Sequence, residues 1–187
     1  FLLTRSSLAD LEPIVRLGQR IGAASVNILR PKPPTTEGDW LERESPTAPD
    51  YRKVARLLHR LQSGSLHATA GSEHPATRIT IDASLTFLLA DRAPQALYRA
   101  GVWGCSAARK FVTVTQDGDV LPCSHVRWSD AAAGDVMRAW RESAILARFR
   151  ALEDTMRGPC RACNALSLCR GCPAVVMAFG GEFGDSD

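Results

Sequence analysis

Four of the chain's six cysteines fall between Cys160 and Cys172, in the run CRACNALSLCRGCP. No other feature constrains the fold as much. Cys160 and Cys163 form one CxxC, Cys169 and Cys172 form a second, and five residues separate the pairs. A CxxC turn aims two sulfurs at one centre, because the backbone amides between them fold round the thiolates. The surrounding segment is rich in glycine and small residues, so a packed core there is thin, and cross-linking through a metal offsets that deficit. The remaining two, Cys105 and Cys123, bracket the stretch KFVTVTQDGDVLPC. It reads as a β-hairpin: Phe111, Val112 and Val114 lead in, Asp117-Gly118 turns, and Val120 and Leu121 lead out.

Three states are open to these thiols. Disulfides need an oxidising compartment, and the opening FLLTRSSLADLEP has no basic region ahead of its short apolar start, so no secretory signal is visible. A cytosolic, reducing compartment is the default reading. One tetrahedral zinc on CxxC…CxxC uses four thiolates and leaves Cys105 and Cys123 as buried thiols. Iron–sulfur ligation accounts for all six and for the placement of the hairpin. The 187 residues carry a formal charge of +3, with arginines spread along the chain. That is no basis for a nucleic-acid or acidic-membrane partner. No apolar run approaches a membrane span.

The first half has a different pattern. Residues 1–4 read as a short buried strand. Leu8, Leu11, Ile14, Val15, Leu17 and Ile21 predict an amphipathic helix over residues 8–21, capped by Ser7 with Asp10 and closed at Gly22. SVNILR (residues 25–30) is a second strand, ended by PKPP. Residues 31–50 form a proline-rich loop, a candidate for substrate contact. Asp50 caps a helix to about residue 62, with Val54, Leu57, Leu58 and Leu61 on its apolar face. Ile79 and Ile81 mark a third strand. This alternation implies βαβ units and a parallel sheet, in a segment too short to close a barrel. Residues 134–150 predict one helix that buries Val136, Met137, Trp140, Ile145, Leu146 and Phe149.

The cysteine spacing resembles that of the SPASM domain of radical SAM enzymes. The family pattern is C-x(9–15)-G-x4-C, a gap, C-x2-C-x5-C-x3-C, a gap and a last C. Here Cys105 is followed after twelve residues by Gly118 and after four more by Cys123, and then come Cys160-x2-Cys163-x5-Cys169 and Cys172-Pro173. GDVMRAWRESAILARFR is similar to the family's linking helix. The resemblance implies an α/β chain: the C-terminal portion of a partial (β/α) barrel over residues 1–98, then a small cysteine-rich SPASM domain over residues 99–187 with hairpin, helix and metal-binding loops. It implies two auxiliary [4Fe–4S] clusters, with Cys105, Cys123 and Cys172 on the first and Cys160, Cys163 and Cys169 on the second. The spacing departs from the family at Cys172, which follows Cys169 by two residues instead of three. The family's last cysteine has no counterpart, and Asp185 or Asp187 is the available oxygen substitute. No CxxxCxxC for the cluster that binds S-adenosylmethionine is present. With Phe1 at the start and GGEFGDSD at the end, the chain reads as a fragment whose SAM site lies in an N-terminal half, inactive by itself. The implied activity is peptide or protein modification in the cytoplasm, with flavodoxin or ferredoxin as a possible reductase.

No catalytic residue is assigned. Arg5 and Arg30 follow strand ends, where barrel sites gather functional groups, but surface arginine explains both. His59, His67, His74 and His125 lack ligand spacing. Arg109, Lys110, His125 and Arg170 lie near cysteines, where charges tune a cluster; solvated side chains are the simpler reading. A zinc-stabilised binding module without redox activity is the alternative.

Overall fold

The computed structural model describes residues 1–33, 39–65 and 77–187, excepting the side chains of 62–65. The described chain falls into two compact units: one formed by Phe1–Pro31 and the segment running to Arg92, the other by Ala93–Asp187 with a short stretch beginning at Lys32. The chain is α/β.

In the first unit a 3-10 turn, Leu8–Asp10, leads into α1 (Leu11–Arg20), followed by β1 (Ser25–Ile28), α2 (Trp40–Glu44), α3 (Ala48–Ser65) and β2 (Arg78–Ile81). β1 and β2 pair in parallel, Ser25 opposite Arg78 and Ile28 opposite Ile81. On the other side of β1 the predicted first strand is reduced to one parallel bridge, Leu2 to Leu29. The parallel βαβ pattern is therefore present, with helical crossovers between the strands. Leu3, Leu11, Val15, Ile28, Val54, Leu58, Leu85 and Leu88 form its core. Leu11 and Val15, like Val54 and Leu58, stand four residues apart and share one helix face.

The caps differ from expectation. Ser7 makes no cap; its hydroxyl donates to the Leu2 carbonyl and accepts from the Thr4 amide. Helix α1 ends at Arg20 and leaves Leu17 and Ile21 exposed. Thr47, rather than Asp50, caps α3. Its hydroxyl donates to the Asp50 carboxylate at 2.6 Å, and that carboxylate accepts the Thr47 amide at 3.1 Å. This is a capping box with Asp50 as the reciprocal partner. The 31–50 segment holds α2 and the start of α3; its residues 34–38 lie outside the described residues, as do His67 and His74.

The second unit begins with α4 (Pro94–Arg99), then the hairpin β3 (Thr113–Val114) and β4 (Val120–Leu121), paired Thr113 to Leu121 and Val114 to Val120. The helices α5 (Val136–Glu142), α6 (Ala144–Arg150), α7 (Leu152–Thr155), α8 (Leu166–Cys169) and α9 (Pro173–Ala178) follow. Leu146, Phe149, Leu152, Val120, Ala108 and Cys172 lie in its core. Phe149 and Phe183 meet at 4.9 Å between ring centroids, with Trp128 beside both.

The single helix expected over residues 134–150 is two. Ser143 is extended (φ −61°, ψ 122°), and its hydroxyl accepts the Leu146 amide at 3.0 Å. That hydroxyl donates to Asp130, whose second oxygen accepts the amides of Ala144 at 2.8 Å and Ile145 at 3.2 Å. Two side chains thus satisfy the start of α6. Serine competes with the helix for its own backbone here, which hydrophobic periodicity does not register. Met137, expected inside, is exposed.

The Ser143 hydroxyl, with the Ile145 and Ala144 amides, holds the Asp130 carboxyl below the usual carboxylate range. Its stabilisation is therefore complete above that range and lost as pH falls through the depressed value. Asp130→Ala is expected to cost about 1 kcal/mol at neutral pH. Urea melts of both proteins should converge in acid.

Candidate iron–sulfur sites

Cys105 and Cys169 are joined through the backbone. The Gly104 amide donates to the Leu168 carbonyl at 2.8 Å, and the Cys105 amide donates to the Cys169 carbonyl at 3.1 Å. A Cβ on Gly104 would lie 1.9 Å from that Cys169 oxygen, so only glycine permits the approach. Cys105 also stands close enough to Cys123 for their charges to interact.

Cys123 follows β4; the Val126 amide donates to its carbonyl at 3.3 Å, and the amides of His125 and Val126 lie near its sulfur. Burial pushes its thiol up, aided by Cys105, while the two amides and Lys32 oppose the rise. Cys160 lies in a 3-10 turn, Gly158–Ala162; Cys163 follows it and donates its amide to the Cys160 carbonyl at 3.1 Å. Cys169 ends α8 and accepts the Gly171 amide on sulfur. Burial, together with Asp187, Cys160 and Cys163, pushes the Cys169 thiol up to about 11. Cys160, Cys163 and Asp187 each lie close enough to Cys169 to act on its charge. Cys172 is buried at the N-terminal end of α9.

No disulfide joins any of the six. Among the described residues, no three ligand-type side chains converge on one ion. A zinc ion with metal–sulfur bonds of about 2.3 Å holds its sulfurs roughly 3.8 Å apart. An iron–sulfur cluster is a larger body whose ligands stand farther apart. The donor set is all thiol: Cys105, Cys123, Cys160 and Cys169 are half-buried, Cys172 is buried and Cys163 is exposed; such a set fits a cluster.

Arg170 was expected in solvent and is buried at 2% exposure. It and Gly171 adopt successive left-handed conformations (φ 60° and 58°), which close the two-residue spacing between Cys169 and Cys172. Its guanidinium donates to the Cys105 carbonyl at 2.7 Å and the Phe149 carbonyl at 2.6 Å. Glu153 lies 3.0 Å from Arg170 Nε and 2.7 Å from Arg109. Lys110 sits over the Trp103 ring at 3.6 Å. The C-terminal tail folds back: Ser186 Oγ accepts the Cys160 amide at 3.0 Å and donates to the Arg157 carbonyl at 2.7 Å. Asp185 pairs with Arg157 instead of a cysteine.

Sequence reasoning missed Gly104 and Glu153 and took Arg170 for a surface residue. A glycine directly before a candidate ligand cysteine was the available signal for the first; nothing local marked the others. In the first unit, Arg5 donates to the Glu42 and Ser45 carbonyls, and Arg30 donates to the Ser84 carbonyl beside Tyr51 and Phe87. Both act as structural ties there. His59 and His125 are exposed.

Residues 105–164 match the family profile of SPASM, an iron–sulfur cluster-binding domain. The match takes in Cys105, Cys123, Cys160 and Cys163. The chain is similar to the AdoMet-dependent heme synthase of Methanosarcina barkeri, at 23% identity over 97% of this chain and 52% of that protein. Its fold is shared with SuiB of Streptococcus suis. The SuiB structure bound to S-adenosylmethionine has a TM-score of 0.65 at 15% identity, over 100% of this chain and 43% of SuiB. A second SuiB structure gives 0.65 at 14%, over 100% and 44%. The chain spans about half the length of these relatives. Among the described residues, no helix is long and apolar enough to cross a membrane.

Gly104→Ala is expected to cost about 3 kcal/mol, since the backbone must part. Gly118→Ala, at φ 87° with open space around it, should cost only about 1 kcal/mol. Thermal melts of the two variants compare these directly.

Proposed function

We propose that this chain is the auxiliary-cluster portion of a radical SAM enzyme that modifies a peptide or protein. The observation that carries the reading is the backbone pairing of Cys105 with Cys169 at 3.1 Å, with Cys123 near enough to Cys105, and Cys160 and Cys163 each near enough to Cys169, for their charges to interact. Cys105, Cys123 and Cys172 hold one [4Fe–4S] cluster. Cys160, Cys163 and Cys169 hold a second, with Asp187 the nearest candidate for a fourth ligand. Such clusters supply one-electron transfer or a point of substrate engagement. Residues 1–98 belong to the partial barrel and residues 99–187 to the cluster domain.

S-adenosylmethionine and its own [4Fe–4S] cluster are assigned to a part of the protein outside this chain, which by itself is inactive. The fold shared with SuiB, solved with S-adenosylmethionine bound, supports that assignment. The reductant is a flavodoxin or ferredoxin, and the compartment is the cytoplasm. The small net charge gives no reason to add a nucleic-acid or membrane partner. A second reading rests on the heme synthase relative: the same cluster domain serving an enzyme of heme formation, with no peptide substrate.

Anaerobic iron, sulfide and zinc analysis of the purified chain tests the cluster assignment. Two clusters give about eight iron and eight sulfide per chain. Cys105→Ala and Cys163→Ala should each remove about half, and different halves by visible and EPR spectra. One zinc in a colourless protein that ignores Cys105→Ala would leave a zinc-stabilised binding module in its place.

A further inference from the structure

Arg170 is a cation in an unusual setting. A buried guanidinium is tolerated when its donors and its charge are both met. Its donors reach the carbonyls of Cys105 and Phe149. Its charge is met by Glu153, but Glu153 also serves Arg109 at 2.7 Å. Two guanidinium groups therefore share one carboxylate, and a net positive charge remains beside Cys105. Arg170 and Cys105 are close enough to interact electrostatically. The backbone of Arg170 is also set between Cys169 and Cys172, in the left-handed turn that spaces them.

We infer that Arg170 is a positioning residue that pins the Cys105 backbone and supplies a fixed positive charge favouring the reduced state of the cluster Cys105 holds. This rests on the cluster assignment proposed above. A cluster with thiolate ligands is negative overall, and one electron taken from an added reductant makes it more so. A fixed cation nearby favours that gain, and net charge is among the determinants of such potentials. Glu153 opposes Arg170: removing its charge unmasks the cation.

The test is an anaerobic redox titration of the full chain, followed by EPR. The signal lost in Cys105→Ala identifies the relevant cluster, and iron content serves as the control. Arg170→Gln should lower its midpoint by about 59 mV, a tenfold shift in a one-electron equilibrium. Arg170→Lys, which keeps the charge, should shift it less than threefold. Glu153→Gln should shift it in the opposite direction to Arg170→Gln. A merely structural role moves iron content or melting temperature and produces no such pair of opposite shifts. Where Arg170→Gln fails to retain iron, Glu153→Gln decides: a raised midpoint supports the inference, and an unchanged or lowered one overturns it. Unmoved midpoints in iron-loaded variants overturn the charge role alone. A wild-type chain without iron and sulfide overturns the cluster assignment and this inference with it.

Discussion

The second unit depends on one short backbone contact, Gly104–Cys105 against Leu168–Cys169. Its hairpin strands are two residues each, and its helices run from four to seven. Elements so short do not stand alone. Arg170 and Cys105 lie 65 residues apart in sequence, and the entropy of closing that loop must be recovered where it closes. The absent side chain of Gly104 lets the backbones meet, and the Arg170 fork then ties Cys105 to Phe149, the centre of the aromatic cluster. The candidate cluster cysteines and the hydrophobic core are therefore secured by the same residues.

The first unit is held differently. Its parallel pairing and its Leu, Ile and Val core follow from side-chain periodicity, and that part was legible. Ile79 and Ile81 marked β2, and Val54 and Leu58 marked the inner face of α3. What periodicity could not reveal was polar. Ser143 reads as one more helix residue until Asp130, 13 positions earlier, is known to reach its hydroxyl. Asp50 reads as a cap until Thr47 is seen to take that place. Arg170 reads as solvent-facing because arginine commonly is. Its burial is set by carbonyls at positions 105 and 149, which no local window contains. The CxxC spacing was visible throughout, and so were the hairpin and its Gly118 turn. Spacing alone did not say which thiols would be neighbours.

The electrostatics of the sulfurs bear on how much of the site exists before a ligand arrives. Burial raises the Cys123 and Cys169 thiols, so each resists becoming a thiolate by itself. Amides from His125, Val126 and Gly171 point the other way. Such a site is poised: the protein supplies dipoles that suit an anionic sulfur but not enough positive charge to create one. A cationic centre completes the balance, and its binding releases the thiol protons. Arg170 is the exception, a full charge built into the fold and not brought by a ligand. Its partial neutralisation by a carboxylate shared with Arg109 leaves the Cys105 side of the site more positive than backbone dipoles alone would make it. The side containing Cys169 faces Asp187 instead. Two thiol groups in one small unit thus meet opposite local charges, and clusters of the same chemistry seated in them would be driven toward different potentials.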